Sequence, residues 1–149
     1  MDAACIALAR MGKHGIAPAH DTTVRSLVDF TAERLPQQLH GKNSLLSLVN
    51  GVCKLVRQVA TAEMRQELRR LLREQVEPLV FRKALDSQFT VGDISTLVFS
   101  FAMAAERIPR LMSVFDDLYV ENYDEFSIRE AVKLISGKNA FHLWERPSF

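Results

Sequence analysis

Cysteine is scarce in this chain, and its cysteines are not spaced for a metal or redox site. Cys5 and Cys53 are the two cysteines among 149 residues, and neither belongs to a C-x-x-C motif. A disulfide framework normally needs more cysteines in a shorter secreted chain, so we expect two buried, reduced thiols that pack like small hydrophobic residues. A chain of this length can fold as one domain, residues 1–149, without disulfides or metal.

A long hydrophobic run is also missing. The longest weakly polar run, Ile94 to Ala105, is shorter than the roughly 20 residues that a transmembrane helix needs, and we interpret it as a core helix. Asp2 stands where a secretory signal would carry a basic residue, so secretion is not expected. The sequence therefore predicts no membrane partner.

No catalytic or cofactor motif is recognisable. The histidines His14, His20, His40 and His142 are scattered, and none lies four residues from another histidine or beside a cysteine. There is no Gly-rich phosphate loop and no nucleophile elbow, although a site assembled from distant residues is recognised by geometry rather than by sequence. We predict a non-enzymatic protein with no metal, no cofactor and no small-molecule substrate.

Charge is nearly balanced over the whole chain but segregated along it. The net charge is +1, whereas residues 42–83 carry +5 and residues 84–149 carry −4. The basic middle and the acidic end indicate more about possible partners than the net charge of the whole chain does, because each segment can bind a partner of opposite charge.

Apolar residues at helical spacing are abundant. Between breaks at Gly15 with Pro18 and at Pro36 with Gly41, they recur at i, i+3, i+4 and i+7, and no segment alternates long enough for a strand. Pro78 should kink or split the fourth helix, whereas Pro109 suits the first turn of the sixth. We predict seven helices, at about 2–14, 22–35, 44–59, 62–85, 91–106, 109–121 and 128–137.

Two helix starts 37 residues apart share one pattern. Thr90 with Asp93 and Ser127 with Glu130 each form a predicted capping box, in which both side chains satisfy free N–H groups at a helix start. A phenylalanine precedes each cap, at Phe89 and Phe126. Core leucines extend the repeat at irregular spacing, at Leu8, Leu48, Leu97 and Leu134.

The repeat predicts an all-α fold of stacked helical hairpins, similar to an α-solenoid. One hairpin cannot bury its apolar face alone, so neighbours stack and form a continuous core. The alternative is an irregular helix bundle in which the repeat is coincidental. The seventh helix lacks a predicted partner, so the chain is either an excerpt of a longer array or ends in a tail that caps the last helix.

The unit of 37 residues, with the core Leu97-Val98-Phe99-Ser100-Phe101-Ala102, resembles the heptatricopeptide and octatricopeptide repeats. Ala7 to Lys13 looks like the same first-helix core, and the stronger match covers about residues 89–137. These repeats occur in organellar RNA-binding proteins, including the FAST-kinase-like and RAP-domain proteins of mitochondria. The resemblance implies a non-catalytic component of a mitochondrial ribonucleoprotein, in a ribosome or an RNA-processing or editing complex. RNA and other protein subunits would be its partners, and a cytoplasmic location is the alternative.

The fourth predicted helix carries the basic candidate site. Arg65 and Arg69 have no acid at favourable helical offsets and should be free, whereas Arg73 can pair with Glu77. Guanidinium groups suit phosphate oxygens, and the alternative is a solvated helix face with ordinary salt bridges. The predicted RNA-binding residues are Arg65, Arg69, Arg73, Lys54 and Arg57, and Arg82 and Lys83 extend this basic patch.

A second candidate surface is acidic and aromatic. Its predicted protein-interface residues are Asp116, Asp117, Glu121 and Trp144. The acids could meet a basic partner, and Trp144 could anchor in a partner's pocket. The alternatives are a solvated helix end and a tail folded over the last helix. This surface supports the alternative function, a protein–protein scaffold with no RNA contact.

Overall fold

The computed structural model describes residues 3–15, 20–35, 41–86, 88–121 and 123–145. Within these ranges the chain forms seven helices and no strand, which confirms the predicted all-α class. The helices are α1 (Ala3–His14), α2 (Asp21–Arg34), α3 (Lys42–Gln58), α4 (residues 62–85), α5 (Val91–Met103), α6 (Pro109–Glu121) and α7 (Ile128–Glu145), and a short 3-10 helix lies at Tyr123–Glu125. No helix of the described residues is long and apolar enough to cross a membrane.

Helix α4 is continuous but irregular. It is α-helical at Ala62–Leu71, π-helical at Leu72–Val76 and α-helical again at Glu77–Leu85. Pro78 has no N–H to donate into the preceding turn, and its ring would crowd that turn in a regular α-helix. The wider π turn lies just before Pro78 and accommodates the ring. The predicted disruption is therefore a local change of helix type rather than a break.

Both predicted capping boxes form. At the start of α5, the Asp93 N–H donates to the Thr90 hydroxyl oxygen at 3.2 Å, and the Thr90 N–H donates to the Asp93 carboxylate at 2.9 Å. At the start of α7, the Glu130 N–H donates to the Ser127 hydroxyl oxygen at 3.2 Å, and the Ser127 N–H donates to the Glu130 carboxylate at 3.4 Å. Two local signals in the sequence thus predict two real helix starts.

The phenylalanines before these caps both join the core. Phe89 is buried, and Phe126 is half-buried against the core with its ring edge-on to Tyr119, at 4.9 Å between ring centroids. The two helix starts therefore have related surroundings, as the repeat predicts.

The helices pack in two layers. Helices α1, α3, α5 and α7 lie side by side in chain order and form the odd layer, and α2, α4 and α6 form the even layer. Consecutive helices also contact each other across the layers as the hairpins α1–α2, α3–α4 and α5–α6, and α7 lies at the end. This arrangement is the predicted stack of helical hairpins rather than an irregular bundle.

One apolar core runs between the layers. The core leucines Leu8, Leu48 and Leu97 are buried, whereas the side chain of Leu134 lies outside the described part. Cys5 and Cys53 are buried thiols, as predicted. Burial, with a smaller contribution from a nearby carboxylate, raises the pKa of the Cys53 thiol above its usual range.

Neighbouring helices of the odd layer approach each other backbone to backbone. A Cβ on Gly12 would overlap the carbonyl oxygen of Gly51, and a Cβ on Gly51 would overlap the backbone of Ala9. A Cβ on Gly137 would lie 2.7 Å from Val98 Cγ1. The prediction that the last helix ends at 137 is therefore wrong. Gly137 lies inside α7, where it allows α7 to pack closely against α5, and the helix continues to Glu145.

Helix α5 ends earlier than predicted. It stops at Met103 rather than at 106, because Ala105 adopts a left-handed conformation with φ 56°. The Glu106 N–H then donates to the Phe101 carbonyl at 3.2 Å, which closes the helix end. The turn points Glu106 back into the protein.

Candidate nucleic-acid interface

The predicted arginine row on α4 is largely engaged within the molecule. Arg69 Nε donates to the Glu106 carboxylate at 3.1 Å, and Arg69 Nη2 donates to the Ala105 carbonyl at 2.7 Å. Arg73 Nη1 donates to the other carboxylate oxygen of Glu106 at 3.3 Å. Because the Glu106 side chain is 4% exposed, these guanidinium groups neutralise a buried charge. The prediction that Arg69 has no acidic partner is therefore wrong.

The other contacts of the row also hold helices together. Arg65 Nη1 donates to the Val59 carbonyl at 3.3 Å and forms no ion pair with any described residue. Glu77, the predicted partner of Arg73, instead accepts two hydrogen bonds from Arg110, each of 2.7 Å. The Arg110 guanidinium lies over the Phe81 ring, 4.2 Å from its centroid. The predicted pairing of Arg73 with Glu77 is wrong, and these contacts tie α4 to α6.

A second basic surface lies on the odd layer, on the side of its helices away from the even layer, and we call it the outer face. Lys54 and Arg57 of α3 are exposed there, and so are Arg10 and Lys13 of α1. None of these four cations forms an ion pair with another described residue. Arg57 Nη1 lies 3.9 Å from the sulfur of Met103 on α5. Lys54 and Arg57 are among the predicted RNA-binding residues, whereas the two cations of α1 are not.

Two grooves between the odd helices run along the outer face. The groove between α1 and α3 has a volume of about 480 Å³, and Arg10 and Lys13 line it together with Asn50. The groove between α3 and α5 has a volume of about 220 Å³, and it is lined by Lys54 and Arg57 and again by Asn50. Because Asn50 lines both grooves, they open on the same side of α3. No described Asp or Glu lines either groove.

An exposed aromatic ring shares the second groove with the two cations of α3. Phe99 of α5 is 39% exposed and lines this groove with Lys54 and Arg57. In sequence Phe99 looks like part of an apolar core helix, but its neighbours Val98 and Phe101 point into the core and turn it outward. A π surface beside cations can stack on a nucleobase while the cations bind phosphate.

The outer face continues between α5 and α7 with mixed charge. Arg129 and Lys133 line a groove of about 400 Å³ together with Asp93 and Glu130. Both acids cap their helices, and Asp93 also pairs with Lys42 at 3.1 Å. Burial pushes the pKa of the Asp93 carboxyl up, but hydrogen bonds from Thr90 and Lys42 outweigh it, and the pKa lies below its ordinary value. Asp93 is therefore ionised and engaged at neutral pH.

The predicted acidic surface is only partly assembled. Asp116 is half-buried on α6, and Asp117 and Glu121 are exposed. Glu121 and Glu125 line a cavity of about 380 Å³ beside the start of α5. The side chain of Trp144 lies outside the described residues. In the part of the chain that the structure describes, no three His, Cys, Asp or Glu side chains converge on a possible metal position.

The described residues thus form two charged surfaces. The outer face is basic between α1, α3 and α5, and the surface with Asp116, Asp117 and Glu121 on α6 is acidic. Comparison with protein-family models, curated proteins and solved structures finds no match to this chain.

Proposed function

We propose that this chain is a non-catalytic helical-repeat component of a ribonucleoprotein and binds single-stranded RNA along the outer face. The observation that carries the proposal is a pair of neighbouring grooves that share Asn50 and hold four exposed cations. None of these cations forms an ion pair with a described residue, and no Asp or Glu is among the described lining residues. A phosphate backbone is the ligand that such a surface attracts, because each cation can replace a condensed counterion.

The geometry favours single-stranded RNA over a duplex. Phe99 offers a ring face in the narrower groove, and only unpaired bases can stack on such a ring. Lys54 and Arg57 lie in the same groove and would bind the flanking phosphates through charge-assisted hydrogen bonds. Asn50 lines both grooves, and its amide would hydrogen-bond a base or ribose that passes from one to the other.

This proposal revises the role of the α4 arginines. Lys54 and Arg57 remain in the RNA contact, and Arg10 and Lys13 join them. Arg69 and Arg73 hold the buried Glu106 and are assigned to the fold. The mitochondrial setting, a ribosome or an RNA-processing complex, is supported by the resemblance of the hairpin core to octatricopeptide-type repeats.

Fluorescence anisotropy with a labelled 20-nucleotide poly(U) RNA tests the proposal. We expect Lys54→Glu/Arg57→Glu to weaken binding by about tenfold or more, because two attractive interactions with phosphate become repulsive. The slope of log K against log salt should become shallower by about 1.4, because each phosphate that the protein no longer neutralises on a single strand reduces the slope by roughly 0.7.

The matched control is Arg25→Glu/Arg82→Glu, which makes the same charge change at exposed positions of the even layer. It should retain wild-type affinity and salt slope. Equal losses of affinity in both double variants would show a non-specific charge effect and contradict the outer face as the site. If neither wild type nor control binds RNA, the alternative of a protein–protein scaffold without RNA contact is favoured.

A further inference from the structure

The groove between α1 and α3 has two chemically different walls. Helix α1 contributes the cations Arg10 and Lys13, which lie three positions apart and therefore project from the same side of the helix. Among the described lining residues, α3 contributes only neutral hydrogen-bonding side chains, namely Asn43, Ser44, Ser47 and Asn50. A ligand that follows this groove would therefore meet positive charge on one side and amides and hydroxyls on the other.

The polar side chains of the α3 wall are available to a ligand. Two of the four are exposed and two are half-buried, and none of them forms a hydrogen bond with another residue of the described ranges. By contrast, the Ser95 hydroxyl inside α5 donates to the Val91 carbonyl at 3.0 Å and is satisfied within its own helix. The hydroxyls and amides of the α3 wall can therefore donate to and accept from a ligand without breaking a contact inside the protein.

The neighbouring groove, between α3 and α5, has a different lining. Phe99 and Met103 of α5 give it an apolar wall, and the described lining residues of the groove between α1 and α3 include no aromatic ring. Stacking on a ring uses the face of a base and does not involve the sugar. The groove between α3 and α5 therefore suits a base, whereas the groove between α1 and α3 suits the sugar–phosphate backbone, which carries charge and hydroxyl groups but no flat apolar face.

We infer that the groove between α1 and α3 binds the sugar–phosphate backbone through ribose 2′-hydroxyls, and that it makes the outer face selective for RNA over single-stranded DNA. The inference rests on the proposed RNA binding and deepens it. The phosphates lie against Arg10 and Lys13 of α1, and the 2′-hydroxyls lie against Ser44 and Ser47 of α3.

The chemistry of the 2′-hydroxyl matches the α3 wall. This group both donates and accepts a hydrogen bond, as a serine hydroxyl does, so each can satisfy the other. Ser44 and Ser47 lie one turn apart, about 4.5 Å along the helix axis, and their short side chains would hold a ribose close to the helix surface. A DNA strand has no 2′-hydroxyl and would lose these hydrogen bonds while keeping its contacts with the cations of α1.

Two oligonucleotides that differ only at the sugar test the inference. Oligo(U) and oligo(dU) of the same length carry the same bases and phosphates, and fluorescence anisotropy measures the affinity of the full chain for each. We expect oligo(U) to bind about tenfold more tightly, because the hydrogen bonds to the 2′-hydroxyls are made only with RNA. An oligo(U) with 2′-fluoro sugars retains the sugar pucker of RNA without the hydroxyl donor and should bind like oligo(dU).

Three variants locate the selectivity. Ser44→Ala/Ser47→Ala should reduce the preference for oligo(U) to about threefold or less, by weakening oligo(U) and leaving oligo(dU) unchanged. The matched control Ser26→Ala/Ser113→Ala makes the same change at exposed positions of the even layer and should keep the wild-type preference. Phe99→Ala should weaken both oligonucleotides by a similar factor, because stacking does not involve the sugar. Circular dichroism confirms that each variant is folded, as expected for alanine in a helix.

Equal affinity of the wild type for oligo(U) and oligo(dU) would overturn the inference, and so would a preference that Ser44→Ala/Ser47→Ala leaves unchanged. Binding of the 2′-fluoro oligonucleotide as tight as that of oligo(U) would assign the selectivity to sugar pucker and would overturn it as well. In each of these cases, a loss of affinity in Lys54→Glu/Arg57→Glu would still support the outer face as a nucleic-acid site. If neither oligonucleotide binds, the proposed function itself is contradicted, and this inference fails with it.

Discussion

Glu106 determines what the arginines of α4 can do. Its carboxylate is buried in the turn after α5, and Arg69 and Arg73 reach it from a different hairpin. The local pair Arg70–Glu67, at 2.7 Å, could be predicted because three residues on a helix are always neighbours. The Arg69–Glu106 pair could not, because it spans 37 residues and exists only once the hairpins have stacked.

Replacing Arg69 should therefore cost stability rather than RNA affinity. We expect Arg69→Ala to lower the free energy of unfolding by about 2 kcal/mol, less than the loss of a fully buried partner, because Arg73 remains beside Glu106. Arg65→Ala, which removes a hydrogen bond but no ion pair with a described residue, should stay within about 0.5 kcal/mol of wild type. Urea denaturation followed by circular dichroism measures both, and equal losses of stability would contradict the role given to Glu106.

Helix packing in the odd layer depends on glycines whose role the sequence does not reveal. Glycine near the end of a periodic segment usually indicates a helix end, so the sequence predicts that the last helix ends at Gly137. In the structure Gly51 and Gly137 each lie inside a helix, where the preceding helix of the odd layer leaves no room for a Cβ. Capping boxes are complete within four residues and could be predicted, whereas a helix crossing depends on a second helix that the local sequence does not reveal.

The same substitution at two glycines should have opposite effects. We expect Gly51→Ala to lower the free energy of unfolding by about 2 to 3 kcal/mol, because the new Cβ pushes α1 and α3 apart. Gly92→Ala lies in the first turn of α5, where a Cβ would have its nearest contact at 3.7 Å. It should be neutral or stabilising by up to about 1 kcal/mol through better helix propensity. Thermal and urea denaturation of both variants checks the signs, and a neutral Gly51→Ala would contradict the close crossing.

The stacked array could be predicted because the same local signals recur along the chain. Phe89 and Phe126 precede equivalent caps, and buried Leu48 and Leu97 occupy equivalent positions in two successive hairpins. The outer face could be predicted only in part. Each groove combines residues from two neighbouring helices. Which side chains share a groove depends on the distance between the two helices and on their rotation about their own axes, which the local sequence does not determine.

Because hairpins contact only their neighbours, stability should vary along the array. Helices α3 and α5 each have an odd-layer neighbour on both sides, whereas α7 contacts only α5 within the described part of that layer. We expect native-state hydrogen exchange to give the highest opening free energies in α3 and α5 and the lowest in the second half of α7. Protection in α7 equal to that in α3 would mean that the array opens as a single cooperative unit.

The π turn before Pro78 rotates everything that follows it in α4. One extra residue in a turn advances the helix face by about 100°, so the second half of α4 presents a different side to its neighbours than an unbroken α-helix would. In an unbroken α-helix Lys83 would lie in line with Arg65, about five turns later, and the extra residue rotates Lys83 off that row. Arg82 lies off the row in either geometry. Pro78 thus divides α4 into two parts with different partners. The part before Pro78 binds the turn after α5 through Arg69 and Arg73, and the part around and after it packs against α6.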